Sequence, residues 1–162
     1  VFEVLLVNSS LERILQPYRA NLARLGIDMH IRTVDRAQYK ARLDQFDYDM
    51  MLGTLPQGLS PGLEQLSYFH SSQRNVKGSR NYAGVNNPVV DDLIDKLSGA
   101  TSRSQQVAAT RALDRVLLWN HYTIPNWYIN YHRIGYRSWL QTPDIPPYSL
   151  VIRSWWKEPA AH

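Results

Sequence analysis

Phe2-Glu3-Val4-Leu5-Leu6-Val7 is a short apolar run of strand formers, the pattern of a strand covered on both faces. Ser9, three residues before Glu12, has capping-box spacing and opens a helical stripe of Leu11, Ile14, Leu15, Tyr18, Leu22 and Leu25. Gly26 stands where a left-handed C-terminal cap is expected, and Pro17 is expected to kink the helix or shift its start. Ile27, Met29 and Ile31 alternate with polar residues and predict a second strand to about Val34. Asp35 and Gln38 repeat the cap, and Tyr39, Leu43 and Phe46 share a helix face. Residues 48–54 (YDMMLGT) predict a third strand. The order β-α-β-α-β with short connections predicts an α/β lobe built on a parallel sheet with right-handed crossovers.

Downstream, residues 53–62 (GTLPQGLSPG) form a loop rich in Gly and Pro, and Ser60 with Pro61 is expected to cap a short helix through Phe69. Residues 70–87 are polar and read as irregular. Asn87 and Pro88 start a helix with the stripe Val89, Val90, Leu93, Ile94 and Leu97, closed by Gly99. Ser102 and Gln105 cap the next, with Ala109, Ala112, Leu113, Val116 and Leu117 as its apolar stripe. Residues 122–136 are too aromatic and β-branched for a stable helix and read as extended, and residues 149–156 as a last strand.

The 162 residues suffice for one domain, or for one lobe of something larger. Zero cysteine excludes a disulfide scaffold, thiolate zinc sites and cysteine nucleophiles. No run approaches about 18 apolar residues, so no membrane-spanning helix is expected. A chain that begins in mid-strand, without a leader, reads as a mature product or a fragment. The formal charge is +4, with 14 Arg against 4 Lys, and ten of eighteen aromatic residues fall between Trp119 and Trp156. Most arginines sit among acids on predicted helices, as Arg13 does near Glu12, and read as solvated helix faces rather than a nucleic-acid surface.

Gly58-Leu59-Ser60-Pro61-Gly62 matches the G-x-S-x-G pattern of serine hydrolases, with Asp114 and His121 downstream. Pro61, however, lacks the backbone N–H that the residue after the nucleophile must donate to the oxyanion. His30, His70, His121, His132 and His162 have no metal-ligand spacing, and no phosphate-binding glycine motif follows the first strand, so neither metal nor nucleotide cofactor is expected. What remains is a ligand pocket outside the carboxyl ends of the strands, formed by the 53–62 loop. Ser79-Arg80-Asn81-Tyr82-Ala83-Gly84 and Asn126-Trp127-Tyr128 add amide, guanidinium and aromatic faces. Leu55, Ser60, Arg80, Asn81, Tyr82, Trp127 and Tyr128 are the candidate ligand contacts, with Arg80 paired to an anionic ligand group and the aromatics stacking.

Asn21-Leu22-Ala23-Arg24-Leu25-Gly26-Ile27, Val34-Asp35, Phe46-Asp47-Tyr48-Asp49-Met50, Asn81-Tyr82-Ala83-Gly84, Asn87-Pro88-Val89-Val90-Asp91-Asp92-Leu93-Ile94 and Ile124-Pro125-Asn126-Trp127-Tyr128 together resemble the family 5 extracellular solute-binding proteins. These are receptors of bacterial ABC importers. Residues 79–84 (SRNYAG) and 109–121 (ATRALDRVLLWNH) resemble the branch that imports oligopeptides and the peptide–nucleotide antibiotic microcin C. The order and spacing of the segments carry the resemblance, which covers nearly the whole chain but only the C-terminal third or so of such a receptor.

The resemblance implies a periplasmic-binding-protein-like lobe that binds a peptide or peptide-like compound without chemistry and presents it to a membrane permease. It implies a periplasmic or extracytoplasmic location, with a signal peptide upstream of this fragment. Residues 1–128 would be the ligand-binding lobe, and residues 129–162 an extended hinge and return segment packing on a second lobe, or otherwise exposed, disordered or paired with a second copy. Many peptide-binding members carry an Asp after the third strand for the peptide's free amine. Residues 53–62 contain no acid, and Glu64 is the nearest replacement.

Overall fold

A computed structural model describes residues 1–58, 60–126, 128, 129, 131, 133–144 and 154–157. They fall in two compact units, Val1–Thr123 and Ile124–His162.

In the first unit, strand β1 (Phe2–Leu6) lies between β2 (Met29–Thr33) and β3 (Met50–Met51), all parallel. Phe2 pairs with Met29 and Leu6 with Thr33, whereas only Val4 and Leu5 pair with Met50 and Met51. Helix α1 (Glu12–Ala23) connects β1 to β2, and α2 (Arg36–Asp44) connects β2 to β3. The expected parallel β-α-β-α-β order is therefore observed. Val4, Leu5 and Leu6 are buried, as an apolar run in a central strand requires. Val4, Leu6, Leu15 and Met29 form one core, flanked by Tyr18, Leu22, Ile31 and Leu52.

Helix boundaries follow caps where the caps are local. Asp35 Oδ1 accepts the Gln38 N–H at 2.9 Å and starts α2 as expected. At α1 the start is different: Asn8 caps a single 3₁₀ turn, Ser9–Leu11, and Glu12 begins the α-helix. The Glu12 carboxylate instead accepts the Thr33 hydroxyl at 2.6 Å. Pro17 neither breaks the helix nor sets its start. Both Pro17 and Arg13, whose carbonyl loses its helical donor, are exposed, so the proline falls on the solvent side of the helix. Gly26, at φ 77°, turns the chain so that the Ile27 N–H reaches the Leu22 carbonyl at 3.0 Å. Phe46 lies beyond the end of α2, at φ 56°, rather than on its face.

Helices α3 (Glu64–Phe69), α4 (Pro88–Ser98) and α5 (Arg103–Trp119) enclose a second core of Tyr68, Phe69, Val85, Val90, Ile94, Leu97 and Leu113. Asn87 and Ser102 cap α4 and α5 as expected. Ser60 and Pro61 do not cap α3; the helix begins at Glu64, whose carboxylate accepts the Gly62 N–H at 3.0 Å. Residues 70–87 are irregular apart from a 3₁₀ turn, Ser71–Gln73.

In the second unit, β4 (Leu140–Gln141) pairs antiparallel with β5 (Trp156–Lys157). Tyr136 and Trp155 meet edge to face, with ring centroids 5.0 Å apart. The extended stretch expected over residues 122–136 contains no strand among the described residues. The expected last strand over residues 149–156 lies mostly outside them. No described helix is long and apolar enough to cross a membrane.

Candidate functional site

The carboxyl ends of β1 and β3 are neighbours, and the strand order reverses about β1, which is where open parallel sheets bind ligands. The chain leaves β3 after only two paired residues and runs into the Gly/Pro loop. That loop is tied down from beneath. The Tyr39 hydroxyl donates to the Leu52 carbonyl at 3.2 Å, and the Tyr68 hydroxyl to the Pro56 carbonyl at 3.0 Å. The buried Gln65 amide donates to the Gln57 side chain, and Gln106 Nε2 to the Pro61 carbonyl at 3.0 Å.

Between these ties, the backbone groups of Gly53, Thr54, Leu55, Gln57 and Gly58 form no hydrogen bond with the described residues. Gly53, Thr54, Gln57 and Gly58 are exposed. An anchored segment with free backbone donors and acceptors can add main-chain hydrogen bonds to an extended ligand.

A phenol cluster supports the loop from the β3 side. The Tyr48 hydroxyl donates to the Tyr82 carbonyl at 2.9 Å. Burial, with the nearby Tyr82 and Tyr39 phenols, pushes the Tyr48 hydroxyl up to about 12, and burial followed by Tyr82 raises Tyr39. Both therefore stay protonated donors at neutral pH. On the other flank, the Arg80 guanidinium lies 6.0 Å from the Tyr68 ring centroid, and its Nη1 donates to the Tyr68 hydroxyl at 3.4 Å.

The residues expected to contact a ligand are thus placed differently from one another. Arg80 and Ser60 are exposed. Tyr82 is half-buried, with its carbonyl engaged by Tyr48. Leu55 is half-buried against the second core. Asn81 corrects the sequence reading, because its side chain is fully buried. Its Nδ2 donates to the carbonyls of Val85 at 2.9 Å and His70 at 3.2 Å, and its Oδ1 accepts the Val85 N–H at 2.8 Å. An amide with these partners inside the lobe is a clasp for the loop and presents nothing to a ligand. Tyr128, in the second unit, is 85% exposed, and Trp127 lies outside the described residues.

Glu64 is engaged too, through Gly62 and the Gln65 amide, so its carboxylate is not a free replacement for an amine-binding Asp. Ser60 makes no hydrogen bond to a histidine among the described residues. Tyr39, Tyr48, Tyr68 and Gln65 were not singled out by sequence as site residues. Their helical or strand spacing marks them as packing residues, and only the fold brings their polar ends to the loop.

An apolar groove of about 310 Å³ runs beside the loop, lined by Phe69, Leu97, Leu113 and Leu117, with Gln57 and Asp114 among its polar lining residues. No group of His, Asp and Glu among the described residues is arranged to hold a metal ion.

The fold recurs in a solved Thermotoga maritima protein, an oligopeptide ABC transporter periplasmic oligopeptide-binding protein with mannohexaose bound. The TM-score is 0.68 at 20% identity, over 79% of this chain and 25% of that one. The chain has the fold of part of a periplasmic oligopeptide-binding protein. In sequence, it is 43% identical over 156 residues to the peptidoglycan-binding protein YepA of Agrobacterium fabrum, covering 96% of this chain and 25% of YepA. It is 41% identical over 162 residues to the probable peptide-binding protein YejA of the same organism, covering 99% of this chain and 26% of YejA. The chain spans about a quarter of the length of these curated relatives. No protein-family model matches it. These relatives bear out the resemblance to solute-binding proteins read from the sequence.

Proposed function

We propose that this chain is the ligand-binding lobe of a substrate-binding receptor of an ABC importer, which captures peptides or peptide-like compounds in the periplasm without chemistry and delivers them to a permease. The observation that carries this reading is the anchored loop at the carboxyl edge of the sheet, whose backbone groups over Gly53, Thr54, Leu55, Gln57 and Gly58 make no hydrogen bond with the described residues and suit an extended main chain. Backbone recognition tolerates many side chains, as a receptor for a class of compounds requires. The name of YejA, a probable peptide-binding protein, supports the same ligand class. Ser60, Tyr82, Trp127 and Tyr128 are the proposed side-chain contacts. From about residue 129 the chain is proposed to return through a hinge to a second lobe, which accounts for the exposed Ile129, Tyr131 and Tyr136.

The test is native mass spectrometry of the complete protein incubated with a random-sequence tetrapeptide pool. One intact peptide per protein molecule is expected. Hydrolysis of the pool, or labelling of Ser60 by a fluorophosphonate, contradicts the reading.

A further inference from the structure

We infer that Met51 is a specificity-determining residue, which selects an apolar ligand side chain where the loop begins, and that Gly53 is bare so that the Met51 thioether can lie over the loop backbone. This deepens the receptor reading and rests on it. Met50 and Met51 are the two residues of β3, and successive strand side chains point to opposite faces. Met50 packs on the first core with Leu52, whereas Met51, also half-buried, belongs to neither apolar core. Its end turns along the chain instead. A β-carbon on Gly53 would sit 3.0 Å from Met51 Cε and 3.1 Å from its Sδ, closer than side chains pack.

Gly53 is not a turn glycine. Gly26, Gly78 and Gly84 have the positive φ that favours glycine, and Gly53 does not, so its backbone conformation would accept an L side chain. What excludes one is the thioether. The other glycines of the loop are not crowded in this way: a β-carbon on Gly58 would meet nothing nearer than 3.7 Å, and one on Gly62 nothing nearer than 3.4 Å. Gly53 is also exposed, and its backbone groups form no hydrogen bond with the described residues. A ligand main chain that bonds there brings a side chain against Met51. The hydroxyls on this flank are already engaged, Tyr39 with the Leu52 carbonyl and Tyr48 with the Tyr82 carbonyl. An unbranched, polarisable thioether adapts to apolar groups of differing shape and offers a charged group no partner. The ligand class is therefore a peptide with an apolar side chain, of variable size, at one position.

The test incubates the complete protein with a random-sequence tetrapeptide pool and sequences the bound peptides by mass spectrometry. At one peptide position, Leu, Ile, Val, Met and Phe together are expected to be enriched about threefold or more over the pool. Met51→Ala is expected to bring that enrichment below about 1.5-fold. Gly53→Ala places a methyl where the thioether lies and drives the thioether toward the ligand, so the pool should bind about tenfold more weakly. Its thermal midpoint should stay within about 2 °C, because the crowded atoms are the free end of a flexible side chain. Combining Met51→Ala with Gly53→Ala removes the crowding and is expected to bind within about threefold of Met51→Ala alone. A merely structural role for Met51 would move the midpoint and leave the enrichment as it was. No enriched position, an enrichment unmoved by Met51→Ala, or a double variant as weak as Gly53→Ala overturns the assignment of Met51. Failure of the unsubstituted protein to bind any peptide overturns the receptor reading on which it rests.

Discussion

Asn81 has no exposed surface, and its amide joins the His70 and Val85 backbones across the loop that carries Arg80 and Tyr82. Replacing it with Leu leaves the Val85 N–H and the Val85 carbonyl without partners, the His70 carbonyl keeping the Gln73 N–H, and urea unfolding should show a loss of about 3 kcal/mol. A loss under about 0.5 kcal/mol would mean that the clasp is not needed. Nothing in the run Ser79-Arg80-Asn81-Tyr82 distinguishes an inward amide from one that meets a ligand, since both use the same donors and acceptor. Burial alone decides, and burial is set by residues distant in the chain. Tyr48 makes a second prediction. Its neutral phenol is the form the fold favours, with the hydroxyl pushed from 10.0 up to about 12. The resulting stabilisation is complete below pH 10 and is lost as pH rises through 12. Thermal melts between those limits should show a falling midpoint, and Tyr48→Phe should flatten that fall while costing about 1 kcal/mol at neutral pH. An equal fall in both proteins would show that Tyr48 is not its source.

At the scale of elements, what was legible was what neighbouring residues decide. Asn87 before Pro88, and Ser102 before Gln105, place the N-termini of α4 and α5 because the capping side chain and its N–H partner lie within three residues. Asn87→Ala and Ser102→Ala should each lower stability by about 1 kcal/mol in chemical denaturation. The core they orient is more sensitive. Ile94→Ala removes a fully buried side chain and should cost about 2–5 kcal/mol by the same measurement. One element misjudged from sequence is fixed by a distant partner. Residues 48–54 have the composition of a long strand, yet β3 stops at Met51 because the ladder with β1 extends only to Val4 and Leu5. That short ladder frees the backbone of the candidate site. The start of α3 fails for a local reason: Ser60-Pro61 satisfies a helix-start rule, but the helix begins at Glu64, with no side-chain cap, and the Glu64 carboxylate accepts the Gly62 N–H.

At the scale of the molecule, the parallel sheet was legible because Phe2-Glu3-Val4-Leu5-Leu6-Val7 and two shorter runs alternate with capped helices, and short crossovers leave few topologies. The position of the candidate site followed from that topology, through the loop after β3. Its supports did not, because Tyr39, Tyr68 and Gln65 come from two helices that only the fold brings beneath one loop. The central claim is that this loop receives the ligand's main chain. Hydrogen–deuterium exchange of the complete protein, with and without a saturating tetrapeptide pool, tests it most directly. The predicted result is slowed exchange at the amides of Gly53, Thr54, Leu55, Gln57 and Gly58. Bound peptide with unchanged exchange at those amides would contradict it.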